Sequence, residues 1–174
     1  MIRKVTASDK LAIRRVNDLA FGQADEANLV DRLRSDGDAL VELIAEADGK
    51  VVAHILFSRL FLCGSDVVEA AALAPMAVVP DHQRTGIGST LVATGIAACR
   101  ELSVPAIVVL GHPDYYPRFG FSAAAASRIK APFDGPAFMA LELAPGTLRS
   151  ERVARYAPAF GLDDWFRETT EKSE

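Results

Sequence analysis

Cysteine is scarce in this chain: Cys63 and Cys99 are the only two among 174 residues. Their separation matches no metal-ligand spacing and two isolated thiols make no disulfide framework, so a reducing compartment is expected and a metal site is not. Long apolar runs are missing as well. No stretch approaches the ~20 residues that a membrane-spanning helix needs. Met1-Ile2-Arg3-Lys4-Val5-Thr6 carries a basic pair without the apolar segment that a secretory leader places after it. A cytoplasmic protein with no membrane partner is the expectation. Positive charge is not in excess: 19 Lys and Arg stand against 23 Asp and Glu, a net charge of −4. That balance supplies no long-range attraction for nucleic acid. Internal repeats and low-complexity linkers are also absent.

What is present suits one folded domain. Half of the residues are hydrophobic and 24% are charged, a composition that buries a core without becoming disordered. Ile2 to Val5 reads as a short strand, and Thr6-Ala7-Ser8-Asp9 supplies N-cap chemistry for a helix with Ile13, Val16 and Ala20 at helical spacing. A second helical stretch starts at Glu26 and stops at Ser35-Asp36-Gly37. Leu40 to Glu46 and Val51 to Leu62 flank Asp48-Gly49, a strong hairpin signal because both central positions of the favoured turn need positive φ. Val67 to Val79 runs back again, completing an antiparallel meander. Pro75 lies inside that last strand and points to an edge or a bulge.

The meander ends in Met76-Ala77-Val78-Val79-Pro80-Asp81-His82-Gln83-Arg84-Thr85-Gly86-Ile87-Gly88-Ser89. Apolar strand residues give way to a polar loop, and Gly86-Ile87-Gly88 opens a helix whose stripe is Leu91, Val92, Ala98, Cys99 and Leu102. The first N–H groups of a helix lack intrahelical partners and sit at the positive end of its dipole. A phosphate or diphosphate is the simplest ligand for such a turn. Arg84 adds a fixed positive charge. A Walker loop is excluded because no Lys follows either glycine, and a dinucleotide fingerprint fits poorly because Leu91 stands where it has its third glycine.

After Pro105, Ala106 to Leu110 is a wholly apolar run of the kind buried on both faces of a sheet. Strand, helix and strand then form a parallel crossover. Next comes Gly111-His112-Pro113-Asp114-Tyr115-Tyr116-Pro117-Arg118-Phe119-Gly120-Phe121. Phe138 to Leu143 alternates like a further strand, and a tail follows with Tyr156, Phe160, Trp165 and Phe166 among charges.

The pattern Gln83-x-x-Gly86-x-Gly88 after a strand resembles the acetyl-coenzyme A loop of the GNAT superfamily of N-acetyltransferases. Tyr116-x-x-x-Gly120-Phe121 is similar to the Tyr-x-x-x-Gly-Phe segment of the same family. The run Tyr115 to Phe121, with Leu73 to Val78 upstream, looks like one bacterial branch of it. The resemblance implies a mixed α/β fold in which the meander leads into the parallel unit and the central sheet splays. It covers about residues 1–145 as the acetyltransferase domain and leaves 146–174 as an extension packing on that domain or on a partner subunit.

By the same resemblance, Gln83, Arg84, Thr85, Gly86, Ile87, Gly88 and Ser89 hold the diphosphate of acetyl-coenzyme A. Met76, Ala77 and Val78 offer main-chain contacts to its pantetheine arm. Tyr116 is the candidate general acid and also borders the cofactor. No metal is needed, the acceptor is a primary amine on a small molecule or a protein, and the protein is a monomer or homodimer. Phe21 to Glu26 and Arg128 to Pro136 are expected walls of the acceptor site. The general base stays open between His54, Glu69 and water, with Asp81, His82 and His112 nearer the cofactor. The family's frequent Asn after the second parallel strand is missing, with Gly111-His112-Pro113-Asp114 in its place. Rival readings are a transferase of another acyl group and a non-catalytic acyl-coenzyme A sensor.

Overall fold

Thr6 and Asp9 shape the first turn of the chain in the computed structural model, which describes residues 1–173. The Asp9 carboxylate accepts the Thr6 amide at 2.7 Å and two N–H groups of the Arg3 guanidinium at 2.8 and 2.9 Å. It thereby ties strand β1 (Ile2–Lys4) to the start of helix α1 (Lys10–Phe21). Gly22, with φ 71°, ends α1 in the left-handed conformation. Helix α2 (Asp25–Ser35) has Asp25 and Glu26 in its first turn and Arg32 and Arg34 in its last, which its dipole favours.

Strands β2 (Ala39–Ala47) and β3 (Lys50–Cys63) meet at Asp48-Gly49, whose φ values are 51° and 73°. Both are positive, as the predicted two-residue turn requires. Strand β4 (Val67–Val78) completes the meander, and helix α3 (Ile87–Glu101) leads to β5 (Ala106–Leu110). Then come β6 (Ile129–Lys130), β7 (Phe138–Glu142), β8 (Arg152–Tyr156) and α4 (Asp163–Glu171). The class is mixed α/β, as expected.

The chain divides into two compact units, one of Met1–Phe57 with Ala74–Cys99, the other of Ser58–Leu73 with the residues from Arg100 onward. In the first unit the strands run in the order β1-β2-β3-β4. Strand β1 is antiparallel to β2, with Ile2 opposite Ala45 and Lys4 opposite Leu43. Val16, Val52, Ala77 and Val79 are buried together, and Ala20 and Ile87 pack on them. Helix α1 and the first turn of α3 thus share one apolar patch. Farther along α3, Gly95 lies against Phe57. A Cβ built on residue 95 would fall 2.2 Å from Phe57 Cε2.

In the second unit the order is β3-β4-β5-β7, with β8 pairing both β3 and β6. The parallel β4–β5 ladder joins Ala71, Ala72 and Leu73 to Ile107, Val108 and Val109 and ends there. Just beyond it, the Ala74–Pro75 peptide bond is cis. Strand β7 runs antiparallel to β5 from Ala106–Glu142 to Leu110–Phe138. Strand β8, which the sequence pattern did not announce, pairs with β3 from Leu60–Tyr156 to Cys63–Val153. Its Arg152 is buried because it has partners: Nη1 donates to the Leu62 carbonyl at 3.2 Å and pairs with Asp66 at 2.9 Å. Leu60, Leu62, Ala70, Val108, Phe138 and Ala154 belong to the core of this unit. Among the described residues no helix is long and apolar enough to cross a membrane.

The Gly95 contact gives a test with an unusual sign. Gly to Ala inside a helix ordinarily stabilises by about 1 kcal/mol. Against the Phe57 ring, Gly95→Ala is expected instead to destabilise by about 1–3 kcal/mol through overpacking. Urea denaturation of the two proteins measures the difference, and an equal or higher midpoint in the variant would refute the contact.

Candidate active site

The loop after β4 is braced from within. His82 donates its amide to the Val79 carbonyl at 3.0 Å, and the Gln83 amide reaches Pro80 at 3.3 Å. The Gln83 side-chain amide donates back to the Val78 carbonyl at 3.0 Å, and the Thr85 hydroxyl donates to the His82 carbonyl at 2.6 Å. Arg84 and Gly86 take positive φ, 60° and 89°. The second value is readily adopted by glycine alone, which accounts for the residue type at position 86. Helix α3 begins directly afterwards.

Among the described residues, the backbone N–H groups of Arg84, Thr85, Gly86, Ile87 and Gly88 make no turn or loop hydrogen bond, whereas Thr90 returns its amide to Gly86 at 3.1 Å. Gly86, Ile87 and Gly88 are among the donors that a helix start leaves over, and Arg84 and Thr85 belong to the loop before it. The dipole of a fifteen-residue helix places its positive end at this turn, and Arg84 adds a cationic side chain to the same loop. Gln83, by contrast, has its amide and side chain engaged internally. Gln83 to Gly86 are exposed, and Ile87, Gly88 and Ser89 are half-buried. Upstream, Met76 and Val78 are half-buried and alternate with buried Ala77. All ten of these predicted residues lie in the first unit.

Tyr116 lies in the second unit, in a single turn of tight helix (Tyr116–Phe119) closed by Gly120 at φ 97°. Its ring is buried and bounded by three others: Tyr115 edge-on at 5.1 Å, Phe121 at 5.8 Å and Phe119 at 6.5 Å between centroids. Burial, with a smaller contribution from Tyr115, pushes its phenol up to about 12. The proton is therefore retained throughout the neutral range. Arg118 stacks over Tyr115 at 4.4 Å and donates to its carbonyl at 2.9 Å, so the neighbouring tyrosine is held in its own contacts.

The base candidates fare differently. Glu69 is exposed and accepts a 2.9 Å bond from Arg59 Nε. Asp81 and His112 are exposed, and the His112 carbonyl takes the amides of Tyr115 and Tyr116. His82 is half-buried. His54 is wholly buried and engaged at both nitrogens. Asn17 Nδ2 bonds the Ile13 carbonyl at 3.0 Å and lies 3.1 Å from His54 Nδ1, so that nitrogen is an acceptor. His54 Nε2–H then donates to Glu42 Oε1 at 2.9 Å. Glu42 also accepts two bonds from Arg34, at 2.5 and 3.2 Å.

This chain of four side chains joins α1, β3, β2 and α2, and three of its members escaped the sequence reading. The available signal was Glu42 itself, a carboxylate inside the apolar run Leu40 to Ile44, which has to find a cation. Burial favours protonating Glu42, but His54 and Arg34 outweigh it and hold the carboxylate below its ordinary range. Burial holds the His54 imidazole neutral against the pull of Glu42. The ring is sealed from solvent with both nitrogens already bonded.

Comparison with known proteins shows the family and the fold. Residues 1–124 match the family model of the acetyltransferase (GNAT) domain. The chain belongs to the GNAT family of acetyltransferases. It is 41% identical over 133 residues to the N-acetyltransferase YjhQ of Escherichia coli K12, covering 74% of each chain. It is similar in structure to Escherichia coli YhbS in complex with CoA, with a TM-score of 0.85, 31% identity and coverage of 92% and 91% of the two chains. A GNAT acetyltransferase from Brucella melitensis in complex with acetyl-CoA superposes with a TM-score of 0.78 at 32% identity, over 92% of this chain and 97% of the other.

The buried imidazole makes a pH prediction for this GNAT protein. The unfolded ring titrates near 6.5 and the folded ring lower. Below 6.5 the unfolded chain binds the extra proton, so this part of the stability is complete above that pH and declines as pH falls through it. Denaturation midpoints are expected to drop from pH 7 to pH 5.5, and to drop less in His54→Gln. Parallel curves for the two proteins would show that the ring is not held neutral by the fold.

Proposed function

We propose that this acetyltransferase moves an acetyl group from acetyl-coenzyme A to a primary amine by direct attack, with both reactants bound together. The reading rests on the amides from Arg84 to Gly88, which among the described residues make no turn or loop hydrogen bond, at and just before the head of α3. They have the polarity and number that a diphosphate needs, and two relatives of similar fold hold CoA or acetyl-CoA. Ser89 completes that loop, Gln83 braces it, and the backbone at Met76, Ala77 and Val78 lines the pantetheine arm.

When bound, acetyl-coenzyme A supplies an acyl group already activated as a thioester. The protein then has to orient the amine, polarise the carbonyl and stabilise the departing sulfur. A backbone N–H between Met76 and Val78 polarises the carbonyl oxygen. Tyr116 serves the sulfur. With its phenol near 12 and an ordinary thiol near ~8.5, full proton transfer from Tyr116 runs uphill. Tyr116 therefore donates a hydrogen bond to the thiolate and keeps its proton. The proton that finally rests on sulfur is the one the attacking amine gives up. His54 is occupied and Glu69 is paired with Arg59, so water carries that proton away from the nitrogen.

Thiol release from acetyl-coenzyme A across a panel of primary amines, with calorimetry for cofactor binding, tests the proposal. Tyr116→Phe is expected to lower kcat by about 10²-fold while acetyl-coenzyme A binds within about threefold of wild type. Absence of binding heat with acetyl-coenzyme A would end the reading outright. Binding without amine-dependent thiol release would favour the sensor instead.

A further inference from the structure

Strand β5 ends at Leu110, and the next residue, Gly111, is set against the ring of Tyr116. A Cβ built on residue 111 would lie 2.3 Å from Tyr116 Cε2, 2.9 Å from Cδ2 and 3.3 Å from Cζ. Any residue other than glycine has to move either the strand end or the ring. The strand end is held: Gly111 donates its amide to the Ala137 carbonyl at 3.0 Å, and Leu110 is in register with Phe138. The ring has little freedom of its own, because Tyr115, Phe119 and Phe121 bound it and it is buried. Its amide is tied as well, donating to the His112 carbonyl at 3.3 Å.

We propose that Gly111 is a positioning residue for the Tyr116 hydroxyl: its bare backbone is the floor of the slot that sets where the phenol stands. The inference rests on the role given to Tyr116 above. A side chain there and this ring position are mutually exclusive. Relieving the overlap in an alanine variant takes a ring displacement of about 1 Å, enough to cost on the order of 10²-fold when the displaced group serves the reacting atoms.

The test is a double-mutant cycle with Gly111→Ala and Tyr116→Phe, read as thiol release from acetyl-coenzyme A with the amine panel. Alongside it, NMR of ring-labelled tyrosine follows the Tyr116 resonances. Gly111→Ala is expected to shift those resonances, lower kcat by about 10- to 100-fold, and leave KM for acetyl-coenzyme A within about threefold. In the Tyr116→Phe background the same substitution is expected to change kcat by less than about twofold. Unmoved resonances, or an equal loss in both backgrounds, overturn the positioning role while leaving Tyr116 its own. A Tyr116→Phe protein of full activity overturns both. Should Gly111→Ala not fold, Phe119→Leu removes a different wall of the slot and carries the same cycle with the same outcomes.

Discussion

Helix α3 can lie on β3 only because residue 95 has no side chain. The Phe57 ring occupies the space that a Cβ would take, and this close approach sets the helix against the strand. The first turn of the helix is fixed at its other end by Ile87, packed on the cluster of Val16, Val52, Ala77 and Val79. Two apolar contacts on one helix therefore determine where the spare amides of residues 84 to 88 stand. Main-chain donors have no side chain to adjust, so their placement depends on how firmly the helix behind them is held.

Electrostatics in the first unit follows the same economy. A neutral imidazole, a carboxylate and a guanidinium sit in sequence from β3 through β2 to α2, each satisfying the next. Removing one member would leave a buried charge or a buried donor without a partner, which is the expensive case. The arrangement connects α1 with α2 through the sheet rather than through the loop between them. Arg14 of α1 also meets α2 directly, donating to Asn28 Oδ1 at 2.5 Å and to Asp31 Oδ2 at 2.8 Å.

Much of the frame was legible from residue types with strong local meaning. Asp48-Gly49 demanded its turn, Ala106 to Leu110 has the bounds its apolar run implied, and the glycine turn does open a helix. Strand β8 was hidden because its alternation includes Arg152, whose burial depends on Asp66 and the Leu62 carbonyl far away in sequence. Helix α4 has no buried residue, so its pattern carried no core signal. At the site, the sequence shows a histidine on a strand but not the company it keeps. Asn17, Glu42 and Arg34 are brought together with His54 from three other elements, and only tertiary structure shows that ring bonded at both nitrogens. Gly111 is the complementary case, in which a missing side chain acquires meaning only from the ring that fills its place.

Holding the Tyr116 proton until about pH 12 has a consequence for how catalysis responds to alkali. With that phenol undissociated and the His54 imidazole sealed from solvent, neither group contributes an inflection to a rate profile between weakly acidic and moderately basic conditions. On the proposed mechanism the attacking nitrogen has to be unprotonated, so the ionisation of the acceptor would enter such a profile, and two acceptors of different basicity would inflect at different places on the same catalyst.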